Sequence, residues 1–117
     1  MALLDFNEDA LNTLRNKLCL NNKSNFITYK VDLTKENEVN NTINAIANEF
    51  KSIDVLHNNA ATKGKSIEEF LKPFEDYKLS TWNDVMNGNL NSMFLMAQAV
   101  GKIMKKQKYG NIIQTAS

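Results

Sequence analysis

The chain has 117 residues, of which 43% are hydrophobic, and a formal net charge of +1. A chain of this length forms one domain at most. Its near-neutral charge argues against a binding surface for nucleic acid or an anionic membrane. No apolar run approaches the roughly 20 residues that cross a bilayer, and no secretory signal opens the chain, because Asp5 interrupts its first apolar run. Cys19 is the single cysteine, which excludes an intrachain disulfide, favours a reducing, cytoplasmic location, and fits a small core residue at a helix end.

The first half of the chain predicts two strands, each followed by a helix. Residues 1–4 form an apolar run typical of the end of a strand, and Asn7 is a suitable cap for the helix that follows. Residues 21–24 predict a turn, residues 26–31 a second strand, and Thr34 the cap of a second helix. The apolar faces of these helices, spaced by three and four residues, are Leu11, Leu14 and Leu18, then Val39, Ile43, Ile46, Ala47 and Phe50.

The second half repeats this alternation with a longer helix. Residues 53–56 predict a third strand, residues 66–71 a short helix, and residues 80–81 the cap of a long helix that ends before Gly110. Residues 111–116 predict the fourth strand. The apolar side expected for the long helix comprises Met86, Leu90, Met93, Phe94, Ala97, Gly101 and Met104.

Strands that alternate with helices of this length imply an α/β fold with a doubly wound parallel sheet and right-handed crossovers. In such sheets, ligands bind outside the carboxyl ends of the strands. Polar residues close all the predicted strands, namely Asp5, Asp32, Asn58 with Asn59, and Ser117. Taken singly, each is more typical of a turn or a helix cap than of a binding site. Together they predict one rim of the sheet that binds a ligand.

Motifs along the chain give this rim a more specific interpretation. Residues 58–61 read Asn-Asn-Ala-Ala, and residues 32–34 read Asp-Leu-Thr. Trp82 is followed seven residues later by Asn-Leu at 89–90, and residues 110–117 read Gly-Asn-Ile-Ile-Gln-Thr-Ala-Ser. These resemble the Asn-Asn-Ala-Gly, Asp-Val/Leu-Thr, Trp-(six residues)-Asn-Leu and Gly-x-Ile-Val-Asn-Ile-Ser-Ser sequences of the short-chain dehydrogenase/reductase family. The resemblance covers essentially the whole chain, from the family's second strand to its fifth.

The resemblance implies that residues 1–117 are a partial NAD(P)-binding domain of Rossmann type. The family's first strand with its Gly-rich phosphate loop is absent, and so is the C-terminal part with its Tyr-x-x-x-Lys pair. Tyr29, Tyr77 and Tyr109 lack a lysine four residues on, so none replaces the family's acid/base. Because the missing strand is central in the family's sheet, we expect two separate strand pairs whose exposed edges promote rearrangement or self-association.

The resemblance favours NAD over NADP as the cofactor. Asp5 matches the acidic residue that accepts hydrogen bonds from the adenosine ribose hydroxyls, where a carboxylate repels a 2′-phosphate. Asp32 matches the residue that contacts the adenine amino group, with the backbone of Leu33 beside it. Ala60 and Ala61, together with Asn58, match the loop that packs against the adenine ribose.

Two departures from the family pattern affect this loop. Ala61 replaces a glycine, which requires a backbone without a positive φ angle. His57 occupies a position that is usually aliphatic, and we interpret it as a strand-end histidine packed on a helix. No residue pattern predicts a metal site.

The resemblance also implies two catalytic positions and a reaction class. Asn89 matches the asparagine of the family's proton relay, whose backbone holds a water, and Ser117 matches the serine that hydrogen-bonds the substrate carbonyl. The implied activity is hydride transfer between an alcohol and a carbonyl of a small molecule, in a homo-oligomer that associates through the long helix. Residues 62–79 are expected to line the substrate entrance.

The isolated chain is expected to be inactive, because it lacks the acid/base. The alternative is a truncated, non-catalytic relic that associates with other chains or binds adenosine weakly. A nucleotide-binding module of flavodoxin type is a third interpretation, but it does not account for the Asn-Asn-Ala and Trp-to-Asn spacings.

Overall fold

The structure, a computed structural model, describes residues 1–21 and 26–116. The predicted turn beyond residue 21 and Ser117 lie outside the described residues, as does the side chain of Cys19. None of the described helices is both long and apolar enough to cross a membrane.

Strands and helices alternate along the described chain. In chain order they are β1 (Ala2–Asp5), α1 (Glu8–Asn21), β2 (Ile27–Lys30), α2 (Glu36–Phe50), β3 (Val55–Asn58), α3 (Ile67–Phe70), a 3₁₀ turn (Phe74–Asp76), α4 (Leu79–Met86), a π-helical segment (Asn87–Asn91), α5 (Ser92–Gln107) and β4 (Asn111–Gln114). Within the described residues the predicted strands and helices therefore all form, with strand boundaries displaced by one or two residues.

The strands form two separate parallel pairs, β1 with β2 and β3 with β4. In the first pair Leu3 lies opposite Thr28, and in the second Leu56 lies opposite Ile112. Parallel pairs joined by helices confirm the α/β class. The division into two pairs was also expected from the family resemblance.

The core lies between the strand pairs and the packed helices α2 and α5. Its buried members are Val39, Ile43, Ile46, Leu56, Met96, Ala99, Val100 and Met104. The predicted face of α2 is confirmed at its three buried positions. Helix α1 packs on β1 and β2, where Leu11 is buried while Leu14 is 41% exposed.

The predicted apolar side of the long helix is wrong in part. Met104 is buried, but Leu90 and Phe94 are 55% and 60% exposed, while Ser92 and Met96 are buried instead. The π-helical segment explains the difference, because a π turn contains one more residue than an α turn and rotates the following face. Periodicity based on 3.6 residues per turn does not anticipate such an insertion.

Two predicted helix caps are also wrong. Helix α2 begins after Lys35 rather than at Thr34, whose hydroxyl donates to Asp32 at 2.6 Å. Helix α4 begins after Lys78, ahead of the predicted cap at 80–81. In the first case a nearby carboxylate competes successfully for the hydroxyl.

Candidate functional site

A cavity of about 410 Å³ opens where β1, β2 and β3 end. Its walls come from the segments that follow these strands. It is lined by Leu4, Asp5, Phe6, Val31, Asp32, Leu33, Thr34, Asn59, Ala60, Ala61, Thr62 and Gly88. The structure thus brings together five of the predicted cofactor-binding residues, Asp5, Asp32, Leu33, Ala60 and Ala61. We call this space the rim cavity.

Asp5 ends β1 with an exposed side chain. Its Oδ1 accepts a hydrogen bond from the Asn7 amide at 2.9 Å, and Oδ1 of Asn7 accepts one from the Ala10 amide at 3.0 Å. The predicted Asn7 cap is therefore confirmed, and it fixes the turn that leads from the strand into α1. This turn holds a carboxylate at the mouth of the rim cavity, beside Phe6, which is 74% exposed.

Asp32 follows β2 and presents the second carboxylate. Its Oδ1 accepts hydrogen bonds from the amide and the hydroxyl of Thr34, at 2.9 and 2.6 Å. Its own amide donates to Oε2 of Glu38 at 2.9 Å. The hydroxyl of Thr34 is the main cause of a lowered pKa for the Asp32 carboxyl, because a hydrogen bond to the charged form favours it. Asp32 is therefore a carboxylate at neutral pH.

Asn58 faces away from the rim cavity. Its side chain is 6% exposed, and its Nδ2 donates to the carbonyl oxygen of Met93 at 3.2 Å. Its backbone carbonyl accepts from the Thr115 amide at 3.0 Å. These contacts tie β3 to α5 and to the end of β4. The cofactor role of Asn58 stays a prediction, while the observed contacts are those of a residue that positions the strand.

Asn89 joins the π-helical segment to the wall of the rim cavity. Its Oδ1 accepts from the Thr62 amide at 2.6 Å, and its Nδ2 donates to the Thr62 carbonyl at 2.9 Å. Next to it, a Cβ on Gly88 would collide with the Thr62 side chain. Hence only a glycine lets the helix approach the loop this closely.

Sequence reasoning assigned Asn89 a backbone role and missed the pairing of its side chain with Thr62. The one signal of this contact in the sequence is a glycine directly before an asparagine within a helix. It does not identify Thr62 as the partner.

The departures at Ala61 and His57 have different outcomes. Among the described residues, the non-glycine positions with positive φ are Lys51 and Lys108. The backbone φ of Ala61 is therefore not positive, and the alanine fits there without backbone strain. The interpretation of His57 as packed on a helix is wrong, because its side chain is exposed and its Nε2 lies 2.9 Å from Oγ1 of Thr115.

Within residues 1–21 and 26–116, no cluster of three or more His, Cys, Asp or Glu side chains could hold a metal.

Comparison with known proteins identifies related sequences and structures. The family described as short chain dehydrogenase matches residues 1–117. The 3-oxoacyl-[acyl-carrier-protein] reductase FabG of Buchnera aphidicola is 38% identical over 95 residues, which are 81% of this chain and 36% of the relative. The NAD-dependent glycerol dehydrogenase of Listeria innocua is 30% identical over 117 residues, which are 100% of this chain and 42% of the relative.

Among solved structures, NAD+-bound xylitol dehydrogenase is 32% identical, with a TM-score of 0.85 over 99% of this chain and 42% of that one. The chain therefore spans about two fifths of the length of these relatives.

Proposed function

This chain belongs to the short-chain dehydrogenase family of NAD(P)-dependent oxidoreductases, and we propose that it forms the adenosine-binding part of such an enzyme. The observation that carries the proposal is the rim cavity, in which Asp5, Asp32 and the Ala60–Ala61 segment meet at the ends of three strands. In open parallel sheets, this edge is where nucleotides bind. The intact protein would interconvert an alcohol and a carbonyl of a small molecule.

The residues of the rim cavity fit the adenosine half of a nicotinamide dinucleotide. The exposed carboxylate of Asp5 would accept hydrogen bonds from ribose hydroxyls. Both bonds from Thr34 use Oδ1 of Asp32, so we assign Oδ2 to the adenine amino group, beside the backbone of Leu33. The small side chains of Ala60 and Ala61 would form the wall against the ribose.

We further propose that the cofactor is NAD in preference to NADP. The Asp5 side chain would repel the 2′-phosphate of NADP, which needs a cation instead. The Lys30–Glu8 ion pair, at 2.9 Å, lies on neighbouring elements and already engages the lysine that ends β2. Two relatives at 30% identity or above are described as NAD-dependent or NAD+-bound, which supports this preference.

By the family resemblance, catalysis would also use a Tyr-x-x-x-Lys pair, a motif that residues 1–117 do not contain. The nicotinamide, when bound, supplies the hydride. Ser117 is proposed to hydrogen-bond the substrate carbonyl and Asn89 to support the proton relay. Since Tyr29, Tyr77 and Tyr109 lack the lysine of the family motif, we propose that the chain alone does not turn over substrate. The location in a reducing, cytoplasmic compartment and the homo-oligomeric state likewise stay predictions.

Calorimetric titration with 5′-AMP and 2′,5′-ADP tests the adenosine proposal without any need for catalysis. We expect 5′-AMP to bind about ten-fold more tightly, a difference of about 1.4 kcal/mol. Asp5→Asn removes the charge that repels the 2′-phosphate, so it should reduce this preference to about two-fold or less.

Asp54→Asn is the matched control, because Asp54 precedes β3 and does not line the rim cavity. It should leave both affinities unchanged. Failure of 5′-AMP to bind at millimolar concentration would contradict the adenosine proposal, whereas equal affinity for the two nucleotides would contradict only the NAD preference.

A further inference from the structure

An exposed ion pair lies beside the first carboxylate of the rim cavity. Lys30 ends β2, and its Nζ is 2.9 Å from Oε2 of Glu8 in the first turn of α1. Both side chains are 61% exposed. An ion pair as exposed as this one contributes little to the stability of a fold. Its main consequence is therefore electrostatic, because it sets how much positive charge Lys30 offers to a ligand nearby.

Lys30 is the neighbour of Asp5 across the two strands. The register of the β1–β2 pair places Asp5 opposite Lys30, and paired strands lie roughly 4.8 Å apart. The residues before them, Leu4 and Tyr29, pack against the core. Because side chains alternate along a strand, Asp5 and Lys30 both project to the other face, where α1 packs. A carboxylate and a lysine stem thus leave the strand pair side by side.

These two side chains have opposite effects on a phosphate group at the adenosine ribose. The Asp5 carboxylate, to which we assign the ribose hydroxyls, would repel a 2′-phosphate. A lysine has a flexible four-carbon stem and three donors, so a released Lys30 ammonium could turn from α1 toward a phosphate on the same ribose. A free cation next to Asp5 would then offset the repulsion on which the preference for NAD depends.

Glu8 withdraws this cation from the ribose. Its carboxylate accepts a hydrogen bond from the Lys30 ammonium, and this bond is the main cause of a raised pKa for Lys30. The negative charges of Asp9 and Glu38 act in the same direction. Glu38 also accepts a hydrogen bond from the Asp32 amide, so its carboxylate is shared with a second donor. The lysine is therefore charged at neutral pH and is held at the first turn of α1.

We propose that Glu8 is a second determinant of the preference for NAD over NADP, and that it acts by keeping the Lys30 ammonium away from the 2′ position of the adenosine ribose. Asp5 would act on the nucleotide directly, whereas Glu8 acts through Lys30. The inference rests on the adenosine-binding function proposed above. It adds a residue that does not itself line the rim cavity.

Calorimetric titration of the chain with 5′-AMP and 2′,5′-ADP at low ionic strength tests this role. Glu8→Gln keeps the size of the side chain but removes its charge, so the Lys30 ammonium becomes available to the 2′-phosphate. We expect 2′,5′-ADP to bind about three-fold more tightly than to the parent chain, while the affinity for 5′-AMP stays within about 1.5-fold. At about 0.5 M salt the gain should largely disappear, because exposed charges are then screened.

Asp9→Asn is the matched control, because it removes one negative charge from the next residue of the same helical turn and keeps the ion pair. It should change the affinity for 2′,5′-ADP by less than about 1.5-fold. Lys30→Met in the Glu8→Gln background removes the cation, so 2′,5′-ADP should bind as weakly as to the parent or more weakly. Lys30→Met in the parent should have little effect, since Glu8 already holds the ammonium there.

A spectroscopic measurement reports on the lysine itself. The ¹³Cε resonance of Lys30 is assigned by its absence in Lys30→Met. On addition of 2′,5′-ADP this resonance should shift in Glu8→Gln and stay in place in the parent. On addition of 5′-AMP it should stay in place in both, because the 2′ position then carries no phosphate.

An unchanged affinity of Glu8→Gln for 2′,5′-ADP would overturn the proposal. So would equal gains from Glu8→Gln and Asp9→Asn, which would indicate an effect of net charge, or a gain that persists after Lys30→Met. In each of these cases binding of 5′-AMP to the same variants leaves the adenosine proposal intact and establishes that they retain the fold. Failure of 5′-AMP to bind the parent chain would instead contradict the adenosine proposal, and the role of Glu8 with it.

Discussion

The ends of β1 and β3 both carry polar side chains, yet these side chains differ in their burial and in their hydrogen-bond partners. Asp5, like Asp32 after β2, receives its hydrogen bonds from residues two positions on in sequence and faces the rim cavity. Asn58 at the end of β3 is buried and donates to Met93, 35 residues away.

This difference follows from the chemistry of the two side chains. A carboxylate only accepts, and adjacent backbone amides satisfy it locally, so it can stay at the surface and retain an oxygen for a ligand. An amide also donates, and the donor of Asn58 reaches a carbonyl of α5 that lies across the core. The first region therefore leaves carboxylate oxygens exposed at the rim cavity, and the second holds the helix against the strand.

The largest expected effect comes from placing a carboxylate in the second region. Asn58→Asp replaces the donor with an acceptor and directs a buried negative charge at the Met93 carbonyl oxygen. An uncompensated buried charge costs about 3 kcal/mol or more. We expect the free energy of unfolding, measured with urea, to fall by this amount at neutral pH.

Asn59→Asp is the matched control, because Asn59 is exposed. Its effect should stay within about 0.5 kcal/mol. If the two substitutions destabilise the chain equally, Asn58 does not have the positioning role described here.

The sequence predicted the two regions unequally well. Alternating strands and helices, the Asn7 cap and the carboxylates at 5 and 32 follow from local patterns, because their hydrogen bonds join residues close in the chain. The contact between Asn58 and Met93 and the pairing of Asn89 with Thr62 join distant segments. Nothing in a single sequence identifies such partners.

The face of α5 illustrates the same limit. A period of 3.6 residues places Leu90 and Phe94 on the buried side, but the π-helical segment at 87–91 rotates that side away. Inside this stretch the Ser92 hydroxyl donates to the Gly88 carbonyl at 2.6 Å, and from outside it Thr62 pairs with the Asn89 side chain. Helical periodicity describes a helix by itself and not its contacts with the rest of the molecule.

Loss of the Asn89 side chain should have the next largest effect. Asn89→Ala leaves the amide and carbonyl of Thr62, which is partly buried, without their partner. We expect urea unfolding to show a loss of about 2 kcal/mol. Asn91→Ala removes an exposed side chain whose bond is to Asn87, and it should change stability by about 0.5 kcal/mol at most. Similar losses for both variants would contradict a specific role of the Thr62 pairing.

Glycines at 88 and 101 provide a comparison within the same helical stretch. Gly88→Ala places a methyl group against the Thr62 side chain, and overpacking of this kind costs about 1–2 kcal/mol. Gly101→Ala meets no atom within 4 Å, so it should stabilise α5 by about 0.5–1 kcal/mol through the higher helix propensity of alanine. Thermal unfolding of the two variants measures whether each substitution lowers or raises stability. Destabilisation by both, to the same extent, would mean that the approach to Thr62 is not what requires a glycine at 88.

The smallest effect is expected at the first region, where the bonds are local. Thr34→Val removes the hydroxyl that lowers the pKa of Asp32 but keeps the backbone amide bond. The pKa of Asp32 should therefore rise toward its usual value of about 3.9. Titration of its side-chain carboxyl by ¹³C NMR measures the change, and the exposed Thr13→Val in α1 is the control.

The sign of the linked stability change follows from the lowered pKa. The carboxylate is favoured in the folded chain, so its contribution to the free energy of unfolding is complete above the unfolded pKa of about 3.9 and is lost as pH falls through the folded value. Thr34→Val should bring the folded pKa of Asp32 closer to its unfolded pKa. The free energy of unfolding should then change less with pH below about 4. If Thr34→Val leaves the pKa of Asp32 unchanged, the backbone amide of residue 34 alone stabilises the charged carboxylate. In that case the choice of residue at 34 would be irrelevant to the charge presented to the rim cavity.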